Sequence, residues 1–310
     1  MSDSPPASVL LPTVRWTDAC REVADQLDPD DELLVLCDDE TDPVAARRDE
    51  LPPDVRLVLA GEPVGCSGKA NAIAAGMRAA EHDRLVWTDD DFHHPPEWLA
   101  TLQADYGRHG PVTELPFFVG RDALSVLLEP LYAGGGTLGV YANDKVWGGA
   151  VLFERDDLDE AAFLRDLERT VSDDGLLSEY LDVTPLRRAR TVEIGGTVRK
   201  SLERHVRFTQ IVFRHEPLIS AFSTVVALVV TALALLFPVP VVVLATLLHA
   251  LLYAAFDVRR PTFLLAYPAG LAQVPLTAYG LARRTFVWGG RRYRWRSKYD
   301  VEVVERSGAE

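Results

Sequence analysis

An uncharged stretch near the carboxyl-terminal end limits what this 310-residue chain can fold into. Residues 218–237 are twenty consecutive residues without a charged side chain. At about 1.5 Å per residue, a helix of this length crosses a hydrocarbon layer of about 30 Å. Pro238-Val239-Pro240 is predicted to form a turn after this run, and residues 241–256 form a second uncharged run. The two runs together predict a hairpin of membrane helices.

A third uncharged segment, residues 263–282, contains several residues that interrupt membrane helices: Pro268, Gly270, Gln273, Pro275 and Gly280. It is predicted to span the membrane, to re-enter it or to lie in its interface. Arginines precede the first run and follow the second at positions 204, 207, 214, 259 and 260. Positive charge marks cytoplasmic flanks, so the amino-terminal part and residues 257–261 are expected in the cytoplasm.

The basic tail favours two crossings over three. Residues 284–310 are rich in arginine, and if they are also cytoplasmic, residues 263–282 cannot be a simple third crossing. We therefore expect a cytoplasmic catalytic domain over residues 1–214, a membrane region over 215–283 and a tail over 284–310. The chain is expected in the cell membrane as a multi-pass protein.

Charge is distributed unevenly along the chain. Residues 1–199 carry a balance of −21, whereas residues 200–310 carry +7. An acidic soluble part joined to a basic part predicts contact with anionic lipid or phosphate and disfavours a nucleic-acid partner. Only 4 of the 32 basic residues are lysine, a composition that resembles proteins of salt-adapted organisms. The 3 cysteines have no paired or metal-ligand spacing, which favours a reducing compartment, and no signal peptide is apparent.

Short apolar runs alternate with longer amphipathic ones over the first 119 residues. The predicted strands are 9–11, 33–37, 55–60, 85–88 and 112–119, and the predicted helices are 17–27, 43–50, 68–82 and 95–108. This alternation predicts an α/β fold with a mostly parallel, Rossmann-like sheet. Ligands of such sheets bind beyond the carboxyl ends of the strands.

Two acidic clusters follow strands in this pattern. Asp38-Asp39 comes after the second strand and Asp89-Asp90-Asp91 after the fourth, so both are expected in one crevice. Adjacent ionised carboxylates repel each other, and a hard divalent cation with a phosphorylated ligand would offset that repulsion. The alternative is a solvated loop in which Asp91 or His94 caps the helix after Pro95-Pro96.

Glycine-rich segments precede two further elements. Gly65 to Lys69 lacks the residues of a P-loop, since Pro63 and Ala70 stand where that motif needs Gly and Ser or Thr. Lys69 opens a helix of small residues whose amino end faces a nucleotide, or it is simply an exposed lysine on a capped helix. Trp147-Gly148-Gly149 precedes an apolar strand, where glycine permits close approach of a ligand or merely forms a turn.

Two later motifs supply candidate acid–base and anion-binding groups. Asp173-Asp174 begins a helical pattern, and these carboxylates act either as a general base for a hydroxyl or as helix caps. Arg204 and Arg207 are three residues apart and share a helix face, which suits a departing diphosphate as well as an anchor before the membrane.

The ordered set of motifs resembles family 2 glycosyltransferases of the processive type, and within them the ceramide glucosyltransferase-like branch. The motifs are Asp38-Asp39, Gly68-Lys69-Ala70-Asn71, Asp89-Asp90-Asp91, Trp147-Gly148-Gly149, Asp173-Asp174, Arg204-x-x-Arg207-Phe208 and Trp288-Gly289-Gly290-Arg291-Arg292-Tyr293. The resemblance covers nearly the whole chain. It implies a GT-A catalytic domain followed by transmembrane helices.

The resemblance implies an inverting transfer of a sugar from UDP- or GDP-hexose to a membrane lipid. Donor-site residues would be Asp38, Asp39, Asp42, Lys69, Asn71, Asp89, Trp147, Gly148, Gly149 and Phe208. Asp91 with Asp89 would hold Mg²⁺ or Mn²⁺. Asp174, with Asp173 beside it, would activate the acceptor hydroxyl. Arg204 and Arg207 would stabilise the leaving nucleoside diphosphate.

The chain departs from that family at two points. Phe208 stands where the family has Trp, which keeps an aromatic face but loses the indole N–H donor. The amino-terminal membrane helix of many relatives is absent from the pattern. Two other functions fit some of the motifs: a nucleotide-sugar-binding membrane protein with weak or no turnover, and a nucleotidyltransferase that uses the same crevice.

Overall fold

The computed structural model describes residues 4–306 of the chain. The strands within this range are β1 Ala7–Pro12, β2 Glu32–Cys37, β3 Val55–Leu59, β4 Arg84–Thr88, β5 Val112–Gly120, β6 Ala150–Glu154, β7 Thr184–Ile194, β8 Thr285–Trp288, β9 Arg291–Ser297 and β10 Asp300–Arg306. The α-helices are α1 Asp18–Ala24, α2 Gly68–Ala79, α3 Trp98–His109, α4 Ala123–Tyr132, α5 Gly139–Ala142, α6 Glu160–Leu167, α7 Asp173–Tyr180, α8 Val198–His215, α9 Pro217–Leu236, α10 Pro238–Ala255 and α11 Ala266–Ala282. Short 3-10 helices cover Ala45–Glu50, Arg155–Asp157 and Pro261–Leu265, and a π-helix covers Ala133–Leu138.

The chain forms two compact units. Unit 1 contains the residues up to Leu115 together with Asp144–Leu186 and Tyr299–Val303. Unit 2 contains Pro116–Asn143, Arg187–Lys298 and the residues from Val304 onward. The division of the chain into a catalytic domain, a membrane region and a tail remains a prediction.

A seven-stranded sheet has the strand order β3-β2-β1-β4-β6-β5-β7. Strands β3, β2, β1 and β4 run parallel, and β6 is antiparallel to both β4 and β5. The predicted mostly parallel α/β sheet is therefore confirmed. Because β6 runs against β4, its first residue Ala150 lies opposite the last residue of β4, Thr88. The segment before β6 thus lies at the carboxyl edge of the parallel strands.

The core of unit 1 is apolar and centred on β4. The Trp87 side chain is fully buried, with its ring centroid 5.5 Å from that of Phe153 in an edge-to-face arrangement and 5.9 Å from that of Phe163. Leu10 and Leu36 of the neighbouring strands belong to the same cluster. This packing fixes the end of β4, from which the acidic triplet continues.

An ion pair with a fully buried carboxylate connects two segments of unit 2. Glu129 of α4 is fully buried, and its two carboxylate oxygens accept hydrogen bonds from the Arg260 guanidinium at 2.7 and 3.0 Å. The same carboxylate accepts from the Thr262 hydroxyl at 2.5 Å and from the Gly120 backbone N–H at 2.8 Å. The segment that follows α10 is held to α4 in this way.

Helix α9 matches the first uncharged run, and α10 contains nearly all of the second. The predicted turn at Pro238-Val239-Pro240 is wrong, because these residues form the first turn of α10, where proline is tolerated. Both helices are long and apolar enough to cross a membrane, with mean hydropathies of 2.4 and 1.9. Only 11% of the most apolar part of α9 and 6% of that of α10 is buried within the structure. The third uncharged segment forms the 3-10 helix Pro261–Leu265 followed by α11, with Pro275 inside the helix.

The basic tail forms a folded element over most of its length. Strands β8, β9 and β10 form a three-stranded sheet in the order β10-β9-β8, in which β8 and β9 are antiparallel. Tyr293 and Trp295 are buried, whereas the intervening Arg292 and Arg294 are half-buried. The last residues of the predicted tail, 307–310, lie outside the described residues.

The start of the helix after Pro95-Pro96 contradicts the alternative that Asp91 or His94 caps it. Helix α3 starts at Trp98, and the residue before it, Glu97, has φ 63° and makes no side-chain capping bond. Neither Asp91 nor His94 therefore caps this helix.

Candidate functional site

The predicted acidic clusters lie at the carboxyl edge of the sheet. Asp38-Asp39 follows β2 and Asp89-Asp90-Asp91 follows β4, and both strands pair in parallel with β1 between them. Gly148-Gly149 leads into β6 at the same edge. The strand directions thus confirm that the two acidic clusters share one edge, as the alternation of strands and helices predicted. The position of the glycine pair at this edge was not predicted.

Lys69 forms the centre of this site. Its side-chain nitrogen Nζ lies 2.7 Å from Oδ1 of Asp89 and 3.2 Å from Oδ2 of Asp173. The side chain of Lys69 is 15% exposed and that of Asp173 is 4% exposed, so water screens these ion pairs little. Lys69 is thus not a surface lysine. It joins the triplet after β4 to the acidic pair of α7.

Helix capping aligns this lysine. The Ser67 hydroxyl accepts a hydrogen bond from the Ala70 backbone N–H at 3.0 Å and so caps α2. The Ser67 backbone N–H donates to the Thr170 carbonyl at 3.1 Å, which attaches this helix start to the segment before α7. Lys69 therefore lies in the first turn of a helix whose start is hydrogen-bonded to the segment just before α7.

The carboxylates of this cluster outnumber its single ammonium, and this excess of negative charge affects the pKa values of the cluster. Burial lowers the pKa of Lys69, but Asp173, Asp89 and Asp174 raise it by more, so the ammonium stays charged. Burial raises the pKa of Asp89 to about 6, against the attraction of Lys69 and reinforced by Asp91. Burial also raises the pKa of Asp173 to about 6, with Lys69 opposing and Asp174 reinforcing. The single ammonium of Lys69 is thus too little positive charge to neutralise the carboxylates around it.

Gly148 lies against the ion pair. A Cβ at this position would lie 2.8 Å from Oδ2 of Asp173, 3.3 Å from Cβ of Asp174 and 3.5 Å from Nζ of Lys69. Any side chain here would displace the carboxylate, so the close approach requires glycine. The alternative of a plain turn does not account for this proximity.

The two aspartates at the start of α7 have different environments. Asp173 is buried and pairs with Lys69, whereas Asp174 is half-buried. Oδ1 of Asp174 accepts hydrogen bonds from the Ser172 hydroxyl at 2.6 Å and the Gly175 backbone N–H at 2.8 Å. These bonds orient the carboxylate and leave Oδ2 for a ligand. The helix cap is supplied by Ser172, whose hydroxyl accepts from the Gly175 N–H, so Asp174 is not needed for that purpose.

The loop after the triplet is fixed by several polar contacts. The Thr13 hydroxyl donates to Oδ2 of Asp90 at 2.5 Å, which directs this aspartate towards the end of β1. The Glu22 carboxylate accepts from the His94 backbone N–H at 2.8 Å and contacts the His93 ring nitrogen at 2.7 Å. Thr88 contacts the His94 ring at 2.6 Å. Asp91 therefore begins a rigid loop.

An aromatic cluster supports the glycine motif from the other side. The ring centroid of Trp147 is 5.2 Å from that of Phe92, and the Trp147 backbone N–H donates to the Thr113 hydroxyl at 3.1 Å. Trp147 is 6% exposed. Its indole is buried and lies against Gly149, where a Cβ would collide with the ring. Contact of Trp147 with a donor remains a prediction.

Two predicted donor-site residues have structural partners in the loops. The Asp42 carboxylate accepts from the backbone N–H groups of Asp38 at 2.7 Å and Asp39 at 3.2 Å, which closes the turn after β2. The Asn71 amide donates to the carbonyls of Ala60 at 3.0 Å and Gly61 at 2.9 Å after β3. These contacts shape the edge of the crevice. Direct contact of either residue with a nucleotide remains a prediction.

The arginine motif lies in unit 2, on α8. The guanidinium carbon of Arg204 is 5.8 Å from the ring centroid of Phe118 and 5.5 Å from that of Phe208. That of Arg207 is 5.3 Å from the Phe208 centroid and 4.1 Å from the Trp288 centroid. Phe208 therefore presents an aromatic ring to both arginines. The helix and the shared position of the two arginines on it are as predicted.

Two aromatic residues of this arginine cluster were not predicted to belong to it. Tyr132 packs edge-on to Phe208, with centroids 5.8 Å apart, and its buried hydroxyl has no hydrogen-bond partner among the described residues. Trp288 stacks on Arg207 from the carboxyl-terminal sheet. The sequence contained a signal for Trp288, since it begins the segment 288–293 that belongs to the resemblance, but it contained none for Tyr132.

A divalent metal fits the carboxylates only together with a ligand. Within residues 4–306, no three His, Cys, Asp or Glu side chains are arranged to hold a metal ion. However, Mg²⁺ usually takes one or two carboxylates and completes its shell with phosphate oxygens and water. The raised pKa of Asp89, caused by burial and by Asp91, reflects negative charge that such a cation would neutralise. Metal binding by Asp89 and Asp91 remains a prediction.

The model of glycosyl transferase family 21 matches residues 32–299, which include every motif discussed above. The chain belongs to glycosyl transferase family 21. It is thus a glycosyltransferase, and the family supports the ceramide glucosyltransferase-like resemblance drawn from the motifs. No curated protein sequence matches this family 21 member significantly.

Several solved structures are similar to this family 21 glycosyltransferase at low identity. A mycobacterial protein is 18% identical over 69% of this chain and 75% of its own, with a TM-score of 0.44. Glucosyl-3-phosphoglycerate synthase from Mycobacterium tuberculosis, in complex with Mn²⁺, uridine diphosphate and phosphoglyceric acid, is 18% identical over 69% and 79%, with a TM-score of 0.42. Mannosyl-3-phosphoglycerate synthase from Rubrobacter xylanophilus is 16% identical over 68% and 73%, with a TM-score of 0.40. These likenesses are too distant to bear on substrate or mechanism.

Proposed function

We propose that this family 21 glycosyltransferase moves a hexosyl group from UDP- or GDP-hexose to a hydroxyl or phosphate group of a membrane lipid, with inversion and with a divalent metal. The observation that carries the proposal is the ion pairing of Lys69 with both Asp89 and Asp173. This contact joins the motif expected to bind the donor to the motif expected to bind the acceptor. Sugar transfer needs the donor-binding and acceptor-binding residues of a GT-A domain to lie close together, and this contact supports such an arrangement.

The donor half is formed by the edge of the sheet. Asp38 and Asp39 would contact the nucleoside of the donor, which is supported by their position beyond the carboxyl end of β2. Asp89 and Asp91 would hold Mg²⁺ or Mn²⁺, which supplies Lewis-acid stabilisation of the diphosphate when bound. Arg204 and Arg207 carry positive charge suited to the departing nucleoside diphosphate.

The acceptor half depends on Asp174. In a single displacement, the acceptor oxygen bonds to the anomeric carbon while the bond from that carbon to the diphosphate oxygen breaks. Asp174 takes the proton of the acceptor hydroxyl through Oδ2, since Ser172 and Gly175 hold Oδ1. Asp173 does not serve as this base, because it is 4% exposed and paired with Lys69.

A lipid acceptor is supported by α9 and α10. Helices buried in a soluble core have most of their surface covered by protein, whereas only 11% and 6% of the apolar parts of these helices is buried. A hydrocarbon layer would cover the remaining apolar surface. A reporter fused after Glu310 is expected on the cytoplasmic side. An external reporter would favour three crossings.

The function is tested by incubating membranes that contain the full chain with UDP- and GDP-hexoses, Mn²⁺ and a lipid extract, followed by mass analysis of the lipids. One donor should give a glycosylated lipid, and chelation of the metal should stop the reaction. Asp174→Asn should bind the donor in calorimetry but not transfer sugar. Asp91→Asn should lose metal-dependent transfer.

A matched control is Asp182→Asn, because Asp182 is exposed. This variant should retain wild-type turnover. The base assignment is wrong if Asp174→Asn weakens donor binding and spares turnover. Wild-type turnover of Asp91→Asn removes the metal assignment, and transfer to water-soluble acceptors alone removes the lipid acceptor.

A further inference from the structure

Trp288 is placed on the face of a buried arginine. The guanidinium carbon of Arg207 lies 4.1 Å from the centre of the Trp288 ring, and Arg207 is 8% exposed. A cation within about 6 Å of a ring centroid is attracted by the negative face of the ring, most strongly by tryptophan and when water is excluded. The contact thus replaces part of the hydration that Arg207 loses on burial.

The position of Trp288 is fixed by a tight hairpin. Trp288 is the last residue of β8 and pairs with Arg291, the first residue of β9. The two residues between them, Gly289 and Gly290, have φ values of 54° and 70°. A two-residue hairpin with positive φ at both positions favours glycine, since other side chains strain this conformation.

The same hairpin is attached to the helix that carries Arg207. The Glu203 carboxylate of α8 accepts a hydrogen bond from the Val287 backbone N–H at 2.9 Å and contacts the Arg283 guanidinium at 3.4 Å. Glu203 precedes Arg207 by one helical turn, so both project from the same face of α8. Trp288 is therefore held at Arg207 by its neighbour in β8 as well as by its own ring.

The stacking partner suits an arginine that binds phosphate. A ring lies against the plane of the guanidinium, whereas the N–H donors point outward from its edge. Those N–H donors are the groups that bind a phosphate in pairs. The arginine closer to the start of the motif, Arg204, contacts Phe118 and Phe208 in place of Trp288. The hairpin thus acts on one of the two arginines.

We propose that Trp288 is a positioning residue for Arg207, which holds the guanidinium oriented to bind the diphosphate of the nucleotide. The proposal rests on the proposed function, in which Arg207 contacts the leaving nucleoside diphosphate. It gives the carboxyl-terminal sheet a part in the reaction, although Trp288 itself touches neither substrate nor the reacting atoms.

The test is the binding of UDP and GDP with Mn²⁺ to the purified full chain in detergent, measured by calorimetry, for Trp288→Leu and Trp288→Phe. Trp288→Leu should weaken binding of the preferred nucleotide by about tenfold. Trp288→Phe, which retains a ring, should recover most of the loss. In an Arg207→Gln background, Trp288→Leu should cause no further loss, because its only effect on binding passes through the arginine.

The matched control is Trp295→Leu in the same sheet. Trp295 stacks on a different arginine, Arg214, at 4.7 Å. This variant should reduce the melting temperature but leave nucleotide binding by the folded protein unchanged. Equal binding by Trp288→Leu and the wild type, or equal losses for Trp288→Leu and Trp295→Leu, overturns the inference while the proposed function stands. Binding of neither UDP nor GDP by the wild type overturns both.

Discussion

The ammonium of Lys69 lies 2.7 Å from Oδ1 of Asp89, so the lysine after the glycine-rich turn and the first aspartate of the acidic triplet form an ion pair. The same ammonium is 3.2 Å from Oδ2 of Asp173. A single cation therefore determines the positions of two carboxylates that belong to different motifs. The consequences can be measured on both stability and activity.

Replacing Lys69 by methionine should impair the protein in two ways. The side chain keeps most of its length but loses its charge, which leaves Asp89 and Asp173 without their counter-ion. Loss of one partner of a buried ion pair typically costs about 3 kcal/mol of unfolding free energy. Transfer should fall at least about 100-fold, since misplacement of reacting groups by about 1 Å has effects of this size. Urea unfolding in detergent and the lipid transfer assay measure the two effects.

The control for this variant is Lys200→Met, because Lys200 is exposed at the start of α8. Its effect on unfolding should stay within about 0.5 kcal/mol, as for most surface substitutions. Similar losses in the two variants would mean that Lys69 contributes only a general charge effect.

A rise in pH should act in opposite directions on stability and on activity. The pKa values of Asp89 and Asp173 are raised by burial to about 6 from a usual value of 3.8. The folded state therefore binds protons more tightly than the unfolded state, and this stabilising contribution is complete below 3.8 and is lost as pH rises through about 6. Transfer should instead decline below about pH 6, because protonated aspartates bind neither a cation nor Lys69 well.

Comparison with Asp173→Asn isolates one of these two groups. The difference in melting temperature between wild type and variant should change between pH 5 and pH 7, with the wild type gaining relative stability at the lower pH. A difference that is constant across this range would contradict the raised pKa of Asp173.

The ion pair of Glu129 with Arg260 should dominate the stability of unit 2. Glu129 is fully buried and accepts hydrogen bonds from Arg260, Thr262 and Gly120. Glu129→Gln leaves the guanidinium unpaired and should cost about 3 kcal/mol in urea unfolding. The exposed pair of Arg47 with Glu50 provides a comparison, in which Glu50→Gln should cost less than about 1 kcal/mol.

A double variant checks the cause. Glu129→Gln combined with Arg260→Met removes both charges and should be less destabilised than Glu129→Gln alone, because no unpaired charge remains. Additive losses would show that the two side chains act independently.

Much of the fold and the common edge of the motifs could be predicted from the sequence. Apolar runs that alternate with helical patterns specify parallel strands, and parallel strands place Asp38 and Asp89 at one edge. The uncharged runs likewise predicted both ends of α9 to within one residue, whereas α10 begins three residues before the predicted run, at Pro238. In each of these cases a regular spacing along the chain determines the structure.

Contacts between distant segments were beyond such reasoning. The stacking of Trp288 on Arg207 and the pairing of Glu129 with Arg260 depend on tertiary packing, which no local spacing encodes. Asp173 and Asp174 have different environments because Asp173 forms the ion pair with Lys69, and this contact also depends on tertiary packing. The three-stranded sheet did have a signal, the alternation of arginine with Tyr293 and Trp295, but the high charge of that segment obscured it.

Gly148→Ala should disturb the site through a single methyl group. The added Cβ would lie 2.8 Å from Oδ2 of Asp173, closer than van der Waals contact, so the carboxylate must move away from Lys69. We expect a loss of transfer of about tenfold or more with a modest loss of stability of about 1–3 kcal/mol, as for other overpacked sites. The control is Gly107→Ala within α3, where a Cβ meets nothing within 4 Å. Alanine there should preserve transfer and raise the unfolding free energy by up to about 1 kcal/mol, because glycine is a poor helix former. Full activity of Gly148→Ala would mean that the position of Asp173 against Lys69 is not required for the reaction.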